Sequence, residues 1–104
     1  MGLVRAILFV KDVERMADFY RDAVGLTEES HSDGWVEFAG GLALHRIPAD
    51  IDVDTGKVRE ENSTKLVFDA DLERLRASGA KLITRPWGGI DGVDPEGNVF
   101  GIAG

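Results

Sequence analysis

The sequence lacks cysteine altogether, so disulfide bonds, thiolate catalysis and cysteine metal sites are excluded. This absence is typical of a reducing compartment, and we expect a cytoplasmic protein. Basic residues are also few. The chain has 12 Lys and Arg against 19 Asp and Glu, and its net charge of −7 argues against binding to nucleic acid or to an anionic membrane surface. No apolar run reaches the ~18 residues of a membrane-spanning helix, and the stretch MGLVRAILFVKD lacks the pattern of a signal peptide.

The composition that remains is that of one small folded domain. The chain has 104 residues, of which 43% are hydrophobic and 30% are charged, and this balance is typical of a globular protein rather than a disordered one. A chain of this length builds only a modest core, so pairing with a second copy would bury more apolar surface. We therefore expect a homodimer.

The first part of the chain has the pattern of one strand, one helix and three further strands. Asp12 is placed as an N-cap, apolar residues follow it at helical spacing, and Gly25 marks the end of the helix. The apolar run before Asp12 predicts a buried strand, and turn residues separate the three later runs. The predicted strands span residues 5–10, 26–30, 35–39 and 42–47.

The same order begins again after a polar, charged linker. A strand precedes a helix that Asp71 opens and Gly79 ends, and two strands follow with a glycine-rich connection between them that has room for a short strand. The tetrapeptide DLER at the start of this helix matches DVER at the start of the first one. We predict a single domain with a duplicated βαβββ unit. The linker spans residues 48–63, the strands span 64–68, 80–85 and 99–103, and the repeats span about 1–47 and about 64–104.

Two stretches carry a resemblance to a known family. VKDVERMADFYRDAVGL (10–26) and the terminal DPEGNVF (94–100) are similar to the most recognisable segments of the vicinal oxygen chelate superfamily, which comprises glyoxalases, bleomycin-resistance proteins and extradiol dioxygenases. The resemblance covers essentially the whole chain. It implies an α+β fold in which two βαβββ units form an open, curved mixed sheet around a cleft. One fold hosts many functions, so the resemblance specifies function poorly.

Enzymes of that superfamily hold a divalent metal in the cleft, with His and Glu ligands on the first and last strand of each half. Carried over by position, the first-strand ligands correspond to Arg5 and Lys65, and the last-strand ligands correspond to Ala43 and Gly101. A register shift of two residues would replace Ala43 by His45. None of the first four can bind a metal, and two are cations that would repel one. The resemblance is thus to a metal-ligand-deficient member, for which we expect neither a metal nor another cofactor.

Strand alternation predicts which side chains face the cleft, because every second residue of a strand lies on the same face. On the third strand, Val36 and Phe38 suit the side that packs on the helix, which would turn Trp35 and Glu37 into the cleft. The candidate ligand-binding residues are Arg5, Trp35, Glu37, His45, Lys65 and Trp87.

The roles of these residues leave alternatives open. Arg5 and Lys65 either bind an anionic ligand together or form salt bridges with nearby acids such as Glu37 or Asp69. The two tryptophans either line an aromatic pocket or pack in the core or at a subunit interface. His45 and Glu37 are the candidates for acid–base catalysis.

The function that we expect is metal-independent binding of a small molecule, planar or anionic, in the manner of the bleomycin-resistance type. One alternative is an enzyme of the glyoxalase or dioxygenase kind, a lyase, isomerase or oxygenase that acts on a carbonyl or vicinal-oxygen substrate. The other is a degenerate module whose role is self-association. A stoichiometric divalent metal in the purified protein would favour the enzyme.

Overall fold

Each half of the chain begins with a strand and a helix whose first turn is capped by an aspartate. In the computed structural model, which describes residues 1–103, Asp12 accepts a hydrogen bond from the Arg15 N–H (3.0 Å), and Asp71 accepts one from the Glu73 N–H (2.9 Å). The first helix ends in a widened π-helical turn, which Gly25 closes at a positive φ of 94°. The aspartate caps predicted from the sequence are confirmed.

Eight strands form two separate four-stranded sheets, each with parallel and antiparallel pairs. The sheet orders are β1-β4-β3-β2 and β5-β8-β7-β6, so the two halves repeat one topology. The predicted α+β class with βαβββ units is confirmed. The elements are β1 (Ala6–Val10), α1 (Val13–Phe19) with its π-helical turn (Tyr20–Val24), β2 (Glu28–Ser32), β3 (Trp35–Phe38), β4 (Leu42–Arg46), β5 (Leu66–Phe68), α2 (Leu72–Ala77), β6 (Lys81–Thr84), β7 (Ile90–Val93) and β8 (Val99–Ile102).

The register of the two sheets is the same at their centres. In the first sheet Ala43 on β4 lies between Ile7 on β1 and Glu37 on β3. In the second sheet Gly101 on β8 lies between Val67 on β5 and Asp91 on β7. Ala43 is therefore the counterpart of Gly101, and the register shift that would have put His45 there does not occur.

One face of both sheets packs into a shared core with the helices. Val36 and Phe38 are fully buried on this face, as the alternation of β3 predicts. The ring of Tyr20, at the end of α1, lies 6.5 Å from that of Phe38, 5.5 Å from that of Phe68 and 6.2 Å from that of Phe100. Tyr20 thus joins the two sheets through contacts between aromatic rings.

The two stretches that carry the family resemblance meet at this point. The Tyr20 hydroxyl donates a hydrogen bond to the buried carboxylate of Asp94 (2.7 Å). Burial and the neighbouring carboxylate raise the pKa of Tyr20, and burial raises the pKa of Asp94. The buried carboxylate of Glu96 accepts hydrogen bonds from the backbone N–H groups of Lys11 and Asp12, each at 2.7 Å. These residues therefore hold the β7–β8 turn to the start and end of α1.

Two details differ from the sequence prediction. The first strand is only half buried, because Ile7 (40% exposed) and Phe9 (54% exposed) lie on the sheet face that no other element covers. The second strand spans Glu28–Ser32 rather than 26–30. The glycine-rich connection does hold the short strand for which the sequence left room, since the backbone of β7 pairs with both β6 and β8.

No ladder joins the edge strands β1 and β5 in the described part of the chain, and grooves lie at their junction. The grooves along this junction are lined by Leu8 and Leu66 at one end and by Ala6 and Phe68 at the other. The eight strands therefore form an open rather than a closed sheet arrangement. None of the helices in residues 1–103 has the length and apolar character that crossing a bilayer demands.

Candidate functional site

The uncovered face of the first sheet carries a row of three aromatic side chains. Phe9 on β1 lies opposite His45 on β4, and His45 lies opposite Trp35 on β3. The ring centroids of Phe9 and His45 are 5.4 Å apart, and those of His45 and Trp35 are 5.5 Å apart. We call these three residues the aromatic row. Because no element packs over it, the row presents apolar ring surface to solvent.

An ion pair lies beside the aromatic row. The Arg5 guanidinium donates to the Glu37 carboxylate (3.3 Å), and the Trp35 indole N–H donates to its other oxygen (3.2 Å). The Arg5 Cζ is 6.0 Å from the centroid of the Trp35 ring. Ala43 lies on the strand between Arg5 and Glu37, and its methyl group leaves room for the arginine to cross that strand. Arg5 neutralises the charge of Glu37, Trp35 adds a neutral hydrogen bond, and the Arg5 side chain remains 39% exposed.

The second sheet repeats this arrangement with different residues. Lys65 donates to the Asp91 carboxylate at 2.8 Å, across the strand that carries Gly101. A Cβ atom on Gly101 would lie 3.3 Å from the Lys65 Cε and 3.1 Å from a Val67 methyl group. The missing side chain of Gly101 therefore provides the space through which the lysine reaches its acid.

Asp91 has a second cationic partner in Arg85, whose Nε donates to it at 2.9 Å. The two terminal nitrogens of Arg85 donate to both oxygens of Glu60 in the linker, at 3.0 and 2.7 Å. Burial raises the pKa of the Asp91 carboxyl, but hydrogen bonds from Lys65 and Arg85 lower it by more. The pKa of Asp91 is therefore below its usual value. The hydrogen bonds from Arg85 likewise lower the pKa of Glu60. We call Glu60, Lys65, Arg85 and Asp91 the Asp91 cluster.

The candidate residues named from the sequence separate into three groups. Four of them, Arg5, Trp35, Glu37 and His45, meet on the face of the first sheet, and Lys65 belongs to the Asp91 cluster. Trp87 lies apart on the turn after β6 and is 75% exposed. In residues 1–103 its ring stacks on no other aromatic side chain. The structure therefore does not bring the two tryptophans into one pocket.

The acid–base candidates do not form a hydrogen-bonded pair. His45 packs between the rings of Phe9 and Trp35, while the Glu37 carboxylate is engaged by Arg5 and Trp35. Arg5 and Lys65 each form a salt bridge with an acid of their own sheet. For Lys65 that acid is Asp91, not Glu37 or the Asp69 suggested by the sequence.

The sequence reasoning did not identify Asp91 and Arg85. Both belong to or flank the glycine-rich connection, where β7 is recognisable only once its pairing with β8 is known. The available signal was the repeat itself. In the first half, Glu37 on β3 lies opposite Ala43 on β4. The repeat therefore predicts an acid opposite Gly101 on the strand that precedes β8.

The residues at the superfamily's metal positions do not fit a metal ion. Arg5 and Lys65 place cations there, Ala43 and Gly101 offer no donor atom, and the neighbouring carboxylates are already bound to the cations. Among residues 1–103, no three His, Asp or Glu side chains are grouped so as to hold a metal ion.

Several solved structures share this fold over nearly the whole chain. A protein of unknown function from Agrobacterium tumefaciens is 24% identical with a TM-score of 0.71, and the match covers 99% of this chain and 94% of that one. The antibiotic-binding protein TnmS3 from Streptomyces sp. CB03234 is 21% identical with a TM-score of 0.65, covering 98% and 93%. The E126Q mutant of the fosfomycin resistance protein FosX from Listeria monocytogenes, complexed with Mn(II) and a dihydroxypropylphosphonic acid, is 17% identical with a TM-score of 0.65, covering 97% and 87%.

These identities are low, so the likeness shows a shared fold and no more. Comparison with curated protein sequences gives no match. The model of the glyoxalase-like domain matches residues 5–103, which is nearly the entire chain. The protein therefore belongs to the glyoxalase-like domain family.

Proposed function

We propose that this protein binds a small planar molecule with an anionic group on the face of the first sheet, without a metal ion and without breaking a bond. The observation that carries this proposal is the position of the Arg5–Glu37 pair beside the aromatic row. A cation stands where metal-dependent relatives carry a ligand, and exposed rings stand next to it.

The aromatic row supplies the apolar part of the binding surface. Phe9 is 54% exposed and Ile7, on the same face of β1, is 40% exposed, so a planar ligand would remove both from water. Offset or edge-to-face contacts with Trp35 and His45 would orient its ring. A planar aromatic body is the ligand shape that this surface suits.

Arg5 supplies the polar part. Its guanidinium makes one 3.3 Å contact with Glu37 and is 39% exposed, so donor N–H groups remain for a ligand carboxylate or phosphate. The fold that this chain shares with the antibiotic-binding protein TnmS3 is compatible with such capture, although the likeness is one of fold alone.

The proposed assembly is a cytoplasmic homodimer. The absence of cysteine supports the location. Exposed apolar side chains outside the ligand surface, namely Leu3 and Val4 in the N-terminal segment and Val67 on β5, support self-association, because a second copy would cover them. Sedimentation equilibrium would report a mass of two chains, and a single-chain mass at micromolar concentration would contradict this part of the proposal.

Tryptophan fluorescence tests the binding surface, because the chain has two tryptophans in different places. Trp87→Phe leaves Trp35 as the only indole, and Trp35→Phe leaves Trp87. Planar aromatic carboxylates such as naphthoate should quench the first variant in a saturable way and leave the second unquenched. Equal quenching of both, or none in either over a broad panel of aromatic acids, would overturn the proposal.

Arg5→Gln separates the role of the charge from that of the rings. The substitution should weaken the binding of aromatic carboxylates by about tenfold, which is the scale of one charge-assisted hydrogen bond. The affinity for uncharged analogues of the same shape should not change. Isothermal titration of matched acid and amide ligands measures the difference. An equal loss for acid and amide would show that Arg5 does not contact the anionic group.

A further inference from the structure

We propose a second binding site, for a carboxylate group of a small molecule, at Arg85, Lys65 and Arg59 on the second sheet, where Glu60 of the linker acts as an internal competitor. This site does not rest on the aromatic row, which belongs to the other sheet. Three features support it: the geometry of Arg85, the local positive charge, and the Arg59 Nε, which has no hydrogen-bond partner among the described residues.

The Arg85 side chain is preorganised to grip a carboxylate. Its Nε is fixed by the buried Asp91 (2.9 Å), and only 17% of the side chain is exposed, so the direction of the guanidinium is set. Its two terminal nitrogens then face both oxygens of Glu60, at 3.0 and 2.7 Å. This forked geometry is the one by which arginine recognises ligand carboxylates.

The two acids of the cluster differ in how easily they can leave. Asp91 lies on β7, is 5% exposed and bonds to two cations, so it is part of the sheet. Glu60 lies in the linker with its side chain 55% exposed and bonds only to Arg85 among the described residues. An external carboxylate would accept the same two hydrogen bonds from Arg85, so its exchange with Glu60 leaves the number of hydrogen bonds unchanged.

The local charge favours such an exchange. Arg59, Lys65 and Arg85 bring three positive charges to one cavity, and Asp91 removes one, so two remain when Glu60 swings outward. In a chain whose net charge is −7, this cavity is a local site of positive potential.

Arg59, which lines the cavity, also has an unused donor. The Nε of Arg59 is buried and has no hydrogen-bond partner in residues 1–103. A buried polar atom without a partner is costly, and a ligand oxygen would satisfy it. The cavity has a volume of about 100 Å³, and Glu60 itself is part of its wall, together with Arg59, Asn62, Thr64, Lys65, Arg85 and Val99. It has room for a carboxylate head group, and the body of the ligand would extend outward past the linker.

Glu60→Gln and Glu61→Gln form a matched pair for the test. Both remove one negative charge from adjacent linker positions, but Glu61 pairs with Lys57 (3.4 Å) and not with Arg85. With acetate as the probe, which has a carboxylate but no ring for the aromatic row, titration calorimetry should show Glu60→Gln binding about tenfold or more tightly than the unsubstituted protein, because the internal competitor is gone. Glu61→Gln should bind like the unsubstituted protein. Equal affinities for the two variants would overturn the proposal.

The Arg85 Nε–Hε resonance locates the bound probe. In Glu60→Gln this signal should shift with acetate along the same curve that calorimetry gives, and Arg85→Lys in that background should lose the binding because lysine lacks the forked pair of donors. An unmoved Arg85 signal at saturation would overturn the site. Acetate has no ring for the aromatic row to bind, and the Arg85 signal reports the second sheet alone, so failure here and failure of the aromatic surface are distinguishable.

Discussion

In each sheet a cation reaches across the central strand to an acid, at a position where that strand has a small side chain or none. The two ion pairs lie in different environments. In the first sheet Arg5 meets Glu37 at 3.3 Å, and their side chains are 39% and 27% exposed. In the second sheet Lys65 meets Asp91 at 2.8 Å, and the Asp91 side chain is only 7% exposed and also bonded to Arg85. The shared geometry follows from the repeat, and the difference follows from burial.

Burial decides what each face can do. A pair that is open to water contributes little to stability and can exchange one partner for a ligand. An acid held in the sheet by two cations contributes to stability and cannot be released without leaving charges unpaired. The first face is therefore the better surface for a ligand at the cation itself, and on the second face only the exposed Glu60 can exchange.

The largest contrast between the halves is expected at the glycines that precede their last strands. Gly40 and Gly97 both have positive φ, but a Cβ on Gly40 meets nothing within 4 Å, whereas one on Gly97 would collide with the carbonyl oxygen of Lys57. Gly97→Ala should cost about 3 kcal/mol in the free energy of unfolding, from the left-handed backbone and the collision with the linker. Gly40→Ala should cost about 1 kcal/mol, from the backbone alone.

Urea denaturation of the two alanine variants measures this difference. Equal losses would mean that the linker does not pack on the β7–β8 turn in solution. The hydrogen bond from the Arg59 N–H to the Gly97 carbonyl (2.8 Å) would then not restrain the linker.

A smaller contrast is expected between the two acids. Asp91→Asn leaves Lys65 and Arg85 without their shared partner, and we expect a loss of about 2 kcal/mol, reduced from the full cost of a buried pair because water screens the half-exposed lysine. Glu37→Gln should cost less than about 1 kcal/mol because that pair is exposed. Denaturation at one pH and ionic strength gives both values, and a costlier Glu37→Gln would reverse the comparison.

The contribution of Asp91 should also depend on pH in a known direction. Its pKa is lowered in the folded state, so its stabilisation is complete above the unfolded value of about 3.9 and is lost as the pH falls through the lower folded value. The difference in unfolding free energy between the unsubstituted protein and Asp91→Asn should be constant at neutral pH and shrink in acid. A difference that grows in acid would contradict the ion pairing.

The smallest predicted effect on stability is that of His31 in the first half, and its pH dependence has the opposite sign to that of Asp91. Its ring bonds to Glu14 on α1 (2.9 Å) and Glu28 on β2 (3.1 Å), and these hydrogen bonds raise the pKa of His31. The stabilisation is therefore complete below the unfolded value of about 6.5 and is lost as the pH rises through the folded value. An NMR titration of the His31 ring should give a higher pKa in the folded protein than for the same ring in urea-unfolded protein. A lower value would exclude the contact in solution.

The parts of the fold that local chemistry decides were readable from the sequence. Asp12 and Asp71 cap their helices, Gly25 and Gly79 end them, and the alternation of β3 turned Trp35 and Glu37 to the open face. Each of these features depends on residues a few positions apart. The prediction that the apolar runs form β-strands was correct for the same reason.

The parts that depend on distant residues were not readable. Asp91 binds Lys65, which is 26 residues away, and Arg85 binds Glu60, which is 25 residues away. Both pairs require the register of β5, β7 and β8 before any contact can be named. The exposure of Ile7 and Phe9 was missed as well, because an apolar run alone does not show which of its faces is covered.

Calorimetric titration of the chelator-treated protein with Mn²⁺ and Zn²⁺, followed by an aromatic carboxylate in the presence of EDTA, tests metal-independent binding most directly. Because Arg5 and Lys65 stand at the positions that the family resemblance assigns to metal ligands and pair with Glu37 and Asp91, we predict no saturable binding of either cation, and ligand affinity that EDTA does not change. One divalent cation bound per chain, or ligand binding that EDTA abolishes, would contradict it.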